Sequence, residues 1–179
     1  MIRKPEFGTN NRPLDAGMPD YGLGDGDDFE ALSRDRFPIR SAEQKDLEDI
    51  IRIDKKLNGR ERRDYFIAKM GEVLGEGGIR ASLVAEVDDR VVGFMMARVD
   101  YGEYGCTEPT AVIDTLGVHP DFTHYGIASA LLSQLLTNLG ALHVEHVRTN
   151  VSWNNTPLIS FLDHNGFKPA QRLILSKAI

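Results

Sequence analysis

The sequence predicts an α/β or α+β domain built on a mixed sheet, and three observations carry that prediction. Apolar, β-branched runs alternate with segments whose apolar residues recur at helical spacing, in the order β-α-α-β-β-β-α-β-α-β. Two apolar runs, 82–87 and 91–99, face each other across the polar turn Asp88-Asp89-Arg90, the pattern of an antiparallel hairpin. The strands at 111–118 and 142–151 are separated by one helical crossover, which makes them parallel neighbours.

Composition sets limits on what the chain can be. With 179 residues, 41% hydrophobic and 27% charged, it suits a single globular domain with a sizeable core. A net charge of −6 argues against nucleic acid as an obligatory partner. No apolar run approaches the ~20 residues that span a bilayer, so no membrane partner is expected. Met1-Ile2-Arg3-Lys4 is not followed by an apolar segment, which argues against a secretory signal. The single cysteine, Cys106, excludes an internal disulfide and fits a reducing, cytoplasmic location.

Residues 1–36 are rich in glycine, proline and aspartate and poor in large apolar side chains. Such a composition cannot offset ordering entropy, so a flexible N-terminal arm is expected there and one domain over 37–179. Phe37–Arg40 reads as a short strand. Ser41 and Gln44 form a capping box ahead of a helix with the stripe Leu47, Ile50, Ile51, Ile53 and Leu57, ended by Asn58-Gly59. A second helix runs from Arg60 to Leu74, and the hairpin follows. The stretch 100–110, with two glycines and a proline, reads as a loop.

The most informative stretch is Ala111–Leu139. A strand at 111–118 meets the breaker His119-Pro120-Asp121, and a helix begins near Gly126 with Ile127, Leu131, Leu135 and Leu139 on one face. Gly140 is placed to cap its end. A glycine leading straight into a helix leaves several N–H groups and the positive end of the helix dipole facing one spot, a setting for a phosphate. After the strand 142–151, Asn155–Asn165 reads as a short helix and Arg172–Ser176 as a last strand.

This order, with Leu116-Gly117-Val118-His119-Pro120, then Gly126-Ile127-Ala128, and the tail Asn155…Phe161-Leu162-Asp163-His164-Asn165-Gly166-Phe167, resembles the GNAT acetyltransferase superfamily over about 37–178. No Gly-x-Gly-x-x-Gly or P-loop competes with it. The resemblance implies a mixed, mostly antiparallel sheet with a splayed parallel central pair, flanked by helices. It implies acetyl-CoA as co-substrate, no metal, and direct attack of an acceptor amine on the thioester.

The family's phosphate loop, (Arg/Gln)-x-x-Gly-x-(Gly/Ala), maps onto Thr123, His124, Tyr125, Gly126, Ile127 and Ala128, with Ser129 as a further donor. Thr123 departs from the family's usual Arg or Gln. Leu116, Gly117 and Val118 match the strand that takes the pantetheine arm, where a backbone N–H can face the thioester oxygen. Asn155 matches an asparagine that contacts that arm or orients the helix. Asp114 is the candidate general base, an acid in an otherwise apolar strand and, by strand alternation, on the face of Leu116 and Val118. A structural aspartate bonding loop N–H groups is the competing reading.

Leu162 stands where the family's proton-donating tyrosine is common, and Tyr101, Tyr104 and Tyr125 are alternatives. The acceptor site falls to 58–66 and 100–110, whose charges of both signs leave it open between a small-molecule amine and a protein amine. A homodimer is also open. A non-catalytic CoA-binding or regulatory module of the same fold is the alternative function, motivated by Thr123 and Leu162.

Overall fold

The structure, a computed structural model, describes residues 37–74, 81–103, 106–172 and 174–178. The expected N-terminal arm at 1–36 and Tyr104 lie outside the described residues. Five strands, β1 (Ile39–Ser41), β2 (Leu83–Val87), β3 (Arg90–Glu103), β4 (Cys106–Val118) and β5 (His146–Thr149), form one sheet in sequential order. The first four are antiparallel, and β4 and β5 are parallel, as their helical crossover requires. The helices are α1 (Leu47–Asn58), α2 (Arg63–Leu74), α3 (Ile127–Ala141) and α4 (Thr156–His164). No helix among the described residues is long and apolar enough to cross a membrane.

Helices cover both faces of the sheet. On one face Ile50, Ile53, Phe66 and Met70 of α1 and α2 meet Phe94 and Met96 of β3. On the other, Ile127, Leu131 and Leu135 of α3 and Phe161 of α4 meet Met95, Ala97 and Ile113. The alternation Phe94-Met95-Met96-Ala97 in β3 feeds the two cores in turn, which is what a strand buried on both sides requires. Each fully buried large apolar side chain contributes about 1.5–3 kcal/mol.

Several boundaries differ from the sequence expectation, each for a local reason. The capping box is formed by Glu43 and Asp46, not Ser41 and Gln44, and a 3-10 turn (Gln44–Asp46) precedes α1. Asp46 is drawn there by its tertiary partner. Its carboxylate accepts two bonds of 2.7 Å from the Arg40 fork and one of 2.8 Å from the Glu43 N–H. Helix α2 starts at Arg63, because Arg62 turns back to the buried Asp54. The stretch read as a loop at 100–110 is mostly strand, with Asp100 opposite Thr110 and Tyr101 opposite Pro109. Gly140 lies inside α3 rather than capping it, and the chain reverses at His143, φ +57. None of the described residues of Arg172–Ser176, read as a last strand, lies in a strand.

Burial alone would push the Asp46 carboxyl up, but the Arg40 guanidinium and the Glu43 N–H outweigh it and hold it below the usual carboxylate range. A depressed folded value means this stabilisation is complete above the unfolded pKa of about 3.9 and is lost as pH falls through the folded value. Acid unfolding of wild type and Asp46→Asn, followed by circular dichroism, should converge at the lowest pH and separate above about pH 4, with wild type more stable.

Candidate functional site

The site begins where β4 and β5 part. Their pairing ends at Ile113 opposite Thr149, whose hydroxyl donates to the Ile113 carbonyl at 3.0 Å. Beyond that point β5 gives way to 150–155, while β4 runs on to Val118. A cavity of about 410 Å³ opens between them. Asp114, Thr115 and Leu116 form one wall, and Thr149, Asn150, Ser152 and Asn155 the other. Phe161 and Leu162 close the base, and Leu57, Asn58 and Arg62 border a third side.

The backbone edge of β4 is open along this gap. Ser82 Oγ accepts from the Ala97 N–H at 3.1 Å and donates to the Ala97 carbonyl at 3.2 Å, so Ala97 faces β2. Antiparallel ladders alternate, which turns Met96 and Phe94 toward β4 and pairs them with Thr115 and Gly117. The N–H and C=O groups of Leu116 and Val118 therefore point into the gap. Gly117 earns its place by packing. A Cβ there would stand 2.6 Å from Phe94 Cε1 and 3.1 Å from Leu57 Cδ1.

Asp114 is not on the face of Leu116 and Val118, as simple alternation predicts. Met96 pairs with Thr115 and Ala97 with Ile113, so Asp114 is an extra residue in β4, a bulge. Leu116 and Val118 pack toward α3, whereas Asp114 turns to the α1–α2 side. Nor are its surroundings apolar. Arg98 Nη1 bonds Oδ1, and Lys69 Nζ lies 3.2 Å from Oδ2. Arg98 also reaches Asp100 at 3.0 Å, Arg148 reaches Asp100 at 3.1 Å, and Lys69 reaches Glu72 at 2.8 Å. Burial would lower the Lys69 pKa, but Glu72 and Asp114 outweigh it and raise it, so Lys69 stands as a cation.

On the cavity's third side Arg62 is tied to Asp54, Nε to Oδ2 at 2.9 Å, and lies over the Tyr65 and Phe66 rings at 5.0 and 5.4 Å. Asp54, Asp100 and Asp114 are thus each paired with a cation.

The phosphate-type loop forms as expected. Gly126, φ +80, is the N-cap of α3, and the first helical bond runs from the Ala130 N–H to the Gly126 carbonyl at 2.9 Å. Helix geometry leaves the N–H groups of Ile127, Ala128 and Ser129 without intrahelical acceptors. Ile127 and Ala128 are buried, so the first turn is anchored in the core. Thr123 spends its hydroxyl on the Pro120 carbonyl at 2.9 Å, closing the turn rather than replacing a lost cation. His124 is exposed at φ +68, a left-handed conformation that favours glycine. Tyr125 is exposed and tilted against Phe122. His119 pins the loop to β3 through its N–H to the Val92 carbonyl at 2.7 Å, and its Nε2 lies 2.7 Å from Lys56 Nζ. Burial and then Lys56 push the His119 pKa down, which favours the neutral ring.

Asn155 caps α4, its Oδ1 accepting from the Leu158 N–H at 3.3 Å, and so orients the helix that closes the cavity. Leu162 is buried against the cavity and offers no proton, and Tyr101 and Tyr125 point to solvent. Lys69 and Arg98 went unnoticed in the sequence. An alternating Arg98-Val99-Asp100 pattern opposite an isolated Asp114 was the available signal. Among the described residues no group of three or more His, Cys, Asp and Glu is arranged to hold a metal.

The model of the acetyltransferase (GNAT) family matches residues 30–167. The chain belongs to the GNAT acetyltransferase family. This GNAT protein is 30% identical over 150 residues to an N-alpha-acetyltransferase of Sulfurisphaera tokodaii, a match spanning 80% of this chain and 87% of that protein. It is 28% identical over 143 residues to an N-alpha-acetyltransferase of Saccharolobus solfataricus, spanning 76% and 83%. Among solved structures, the aminoglycoside N-acetyltransferase AAC(6')-Iy in complex with CoA shares the fold at TM-score 0.68 and 22% identity, over 79% of this chain and 94% of that one. The ribosomal-protein-S18-alanine N-acetyltransferase of Escherichia coli does so at TM-score 0.63 and 20% identity, over 75% and 79%. The chain is an acetyl-CoA-dependent N-acetyltransferase.

Proposed function

We propose that the β4–β5 gap is the acyl-transfer centre and that its acceptor is the α-amine of a polypeptide. The single observation that carries this is convergence. An open backbone edge and a re-aimed carboxylate border one gap, and the same strand leads on to the N-terminus of α3. The donor set fits acetyl-CoA, which when bound supplies a thioester already activated toward an amine. Gly126–Ser129 hold its pyrophosphate through backbone N–H groups, with Thr123, His124 and Tyr125 shaping the loop. Leu116 and Val118 pair with its arm like an added strand, Gly117 keeps that strand flat against Phe94, and Asn155 fixes the opposite wall.

The acceptor enters from the side of Leu57, Asn58 and Arg62. Its ammonium takes the place of Lys69 at Asp114 Oδ2, and Lys69 stays with Glu72. Asp114, held in orientation by Arg98, then receives the proton that the attacking nitrogen must lose. Water protonates the departing thiolate, because Leu162 offers no group for it. The two N-alpha-acetyltransferase relatives support a polypeptide amine. The aminoglycoside enzymes that share the fold favour the second reading, a small-molecule amine.

Calorimetry should show acetyl-CoA binding, and thiol release should then be faster with a short unblocked peptide than with an aminoglycoside. No acetyl-CoA binding would remove the site assignment. Binding with turnover of the aminoglycoside alone would move the acceptor to the second reading.

A further inference from the structure

We propose that Asp54 assembles a reader for the first peptide bond of the acceptor, in which Arg62 donates to the peptide carbonyl and Asn58 accepts from the peptide N–H. The inference rests on the acceptor being a polypeptide amine and names the groups that would recognise it.

Asp54 lies in α1, is 2% exposed, and has no part in the proton transfer assigned to Asp114. A carboxylate is retained in such a place only when its partners satisfy it. Those partners come from the two ends of the α1–α2 connection. Arg62 donates through Nε to Oδ2 at 2.9 Å and through Nη2 to Oδ1. Asn58 donates through Nδ2 to Oδ1 at 2.7 Å and to the Asp54 carbonyl at 3.3 Å. Between them Gly59, at φ +68, ends α1 and turns the chain. Asn58 and Arg62 both border the cavity on the acceptor side.

What Asp54 engages decides what is left over. A guanidinium carries five N–H groups in a rigid fork, and Asp54 holds one edge of it. The other edge, at Nη1, has no acceptor among the described residues. The carboxylate can only accept, so the Asn58 amide turns its NH2 toward it. The amide oxygen is then the free end, and it has no donor among the described residues. One oriented donor and one oriented acceptor thus border the same side of one cavity. A peptide unit presents their complements, a C=O and an N–H.

The group recognised is a neutral amide rather than a carboxylate, because the Asp54 charge already balances that of Arg62. Position agrees. The Arg62 guanidinium lies over the Tyr65 ring at 5.0 Å. Burial, and then the Asp114 charge, push the Tyr65 hydroxyl above the ordinary phenol range, so Asp114 stands within electrostatic reach of that ring. In a polypeptide the α-nitrogen and the first carbonyl carbon are joined through one Cα. With the ammonium at Asp114, the carbonyl is the next polar group available to Arg62.

Thiol-release kinetics on three acceptors test the proposal: alanine N-methylamide, alanine methyl ester and isopropylamine. Beside the amine they offer a carbonyl with an N–H, a carbonyl alone, and neither. Each variant is compared with wild type on the same acceptor, so differences in amine basicity cancel. Arg62→Lys keeps a cation for Asp54 but not the second edge of the fork. It should lower kcat/KM by roughly 10–100-fold with the amide and the ester, and far less with isopropylamine. Asn58→Leu, at an exposed position, should lower it with the amide but not with the ester. Asp54→Asn should act on the amide mainly through KM, a split that a purely structural carboxylate would not give. If Asp54→Asn fails to fold, the other two variants still decide. Equal loss on all three acceptors in Arg62→Lys makes the cluster a structural clamp and overturns the proposal, as does turnover of the amide that Arg62→Lys and Asn58→Leu leave unchanged. A wild type that acetylates an aminoglycoside but no alanine derivative removes the polypeptide reading, and the proposal falls with it.

Discussion

Asp114→Asn is expected to lower kcat/KM for a polypeptide amine by about 10²–10⁴-fold, the usual worth of a positioned general base, while leaving acetyl-CoA affinity close to wild type. The asparagine keeps the shape and the bulge but cannot take a proton. The discriminating readout is the nucleophile. An acceptor whose amine is already neutral at the assay pH needs no base, so its rate should fall far less in the variant. Equal loss with both kinds of amine would reduce Asp114 to an anchor for Arg98 and Lys69. The variant also removes the anion between those two cations, leaving Lys69 its ion pair with Glu72 and Arg98 its pair with Asp100. Thermal unfolding should be measured beside the kinetics, since Lys69→Met tests the same pocket with the opposite charge change. By vacating Asp114 Oδ2 it should lower KM for the acceptor with little change in kcat, a split that a purely structural lysine would not give.

Gly117→Ala is expected to destabilise the protein by about 2–3 kcal/mol and lower Tm by roughly 4–12 °C, through overpacking. The added Cβ would lie 2.6 and 2.8 Å from Phe94 Cε1 and Cζ, and Phe94 cannot retreat. It is fully buried and set edge-on to Phe66 at 5.7 Å. Because Leu116 and Val118 flank the clash, any relief that shifts β4 also disturbs the open edge, so acetyl-CoA affinity should fall with stability. Calorimetry on folded variant checks the second effect and thermal unfolding the first. A variant as stable as wild type would mean that Phe94 yields, against its full burial.

Much of the site was readable because its logic is local. A strand, a breaker and a glycine at a helix start are consecutive, so the glycine-led start of α3 declares itself by spacing, whereas Leu116–Val118 were picked out through the family resemblance. Asn155 declared itself as well, since a cap must precede its helix. The readings that failed share one physical cause. Alternation placed Asp114 on the wrong face because a one-residue bulge cannot be seen without the register of the paired strand. Its setting was misjudged because Arg98 and Lys69 come from two other elements. The loop at 100–110 became strand because β3 and β4 pair through it, and pairing outweighs the local signal of glycine and proline.

By itself the sequence determined most of the helices and strands, that β4 and β5 run parallel, and that a glycine leads into the helix after β4. These follow from periodicity, connection and helix-end chemistry, all short-range in the chain. Only the tertiary structure decided that Asp114 turns toward α2, that its charge is shared with Lys69 and Arg98, and that 100–103 and 106–110 pair as strand. The reason is that register, ion pairing and strand pairing are relations between separate segments. They take definite values only once the sheet has brought those segments side by side.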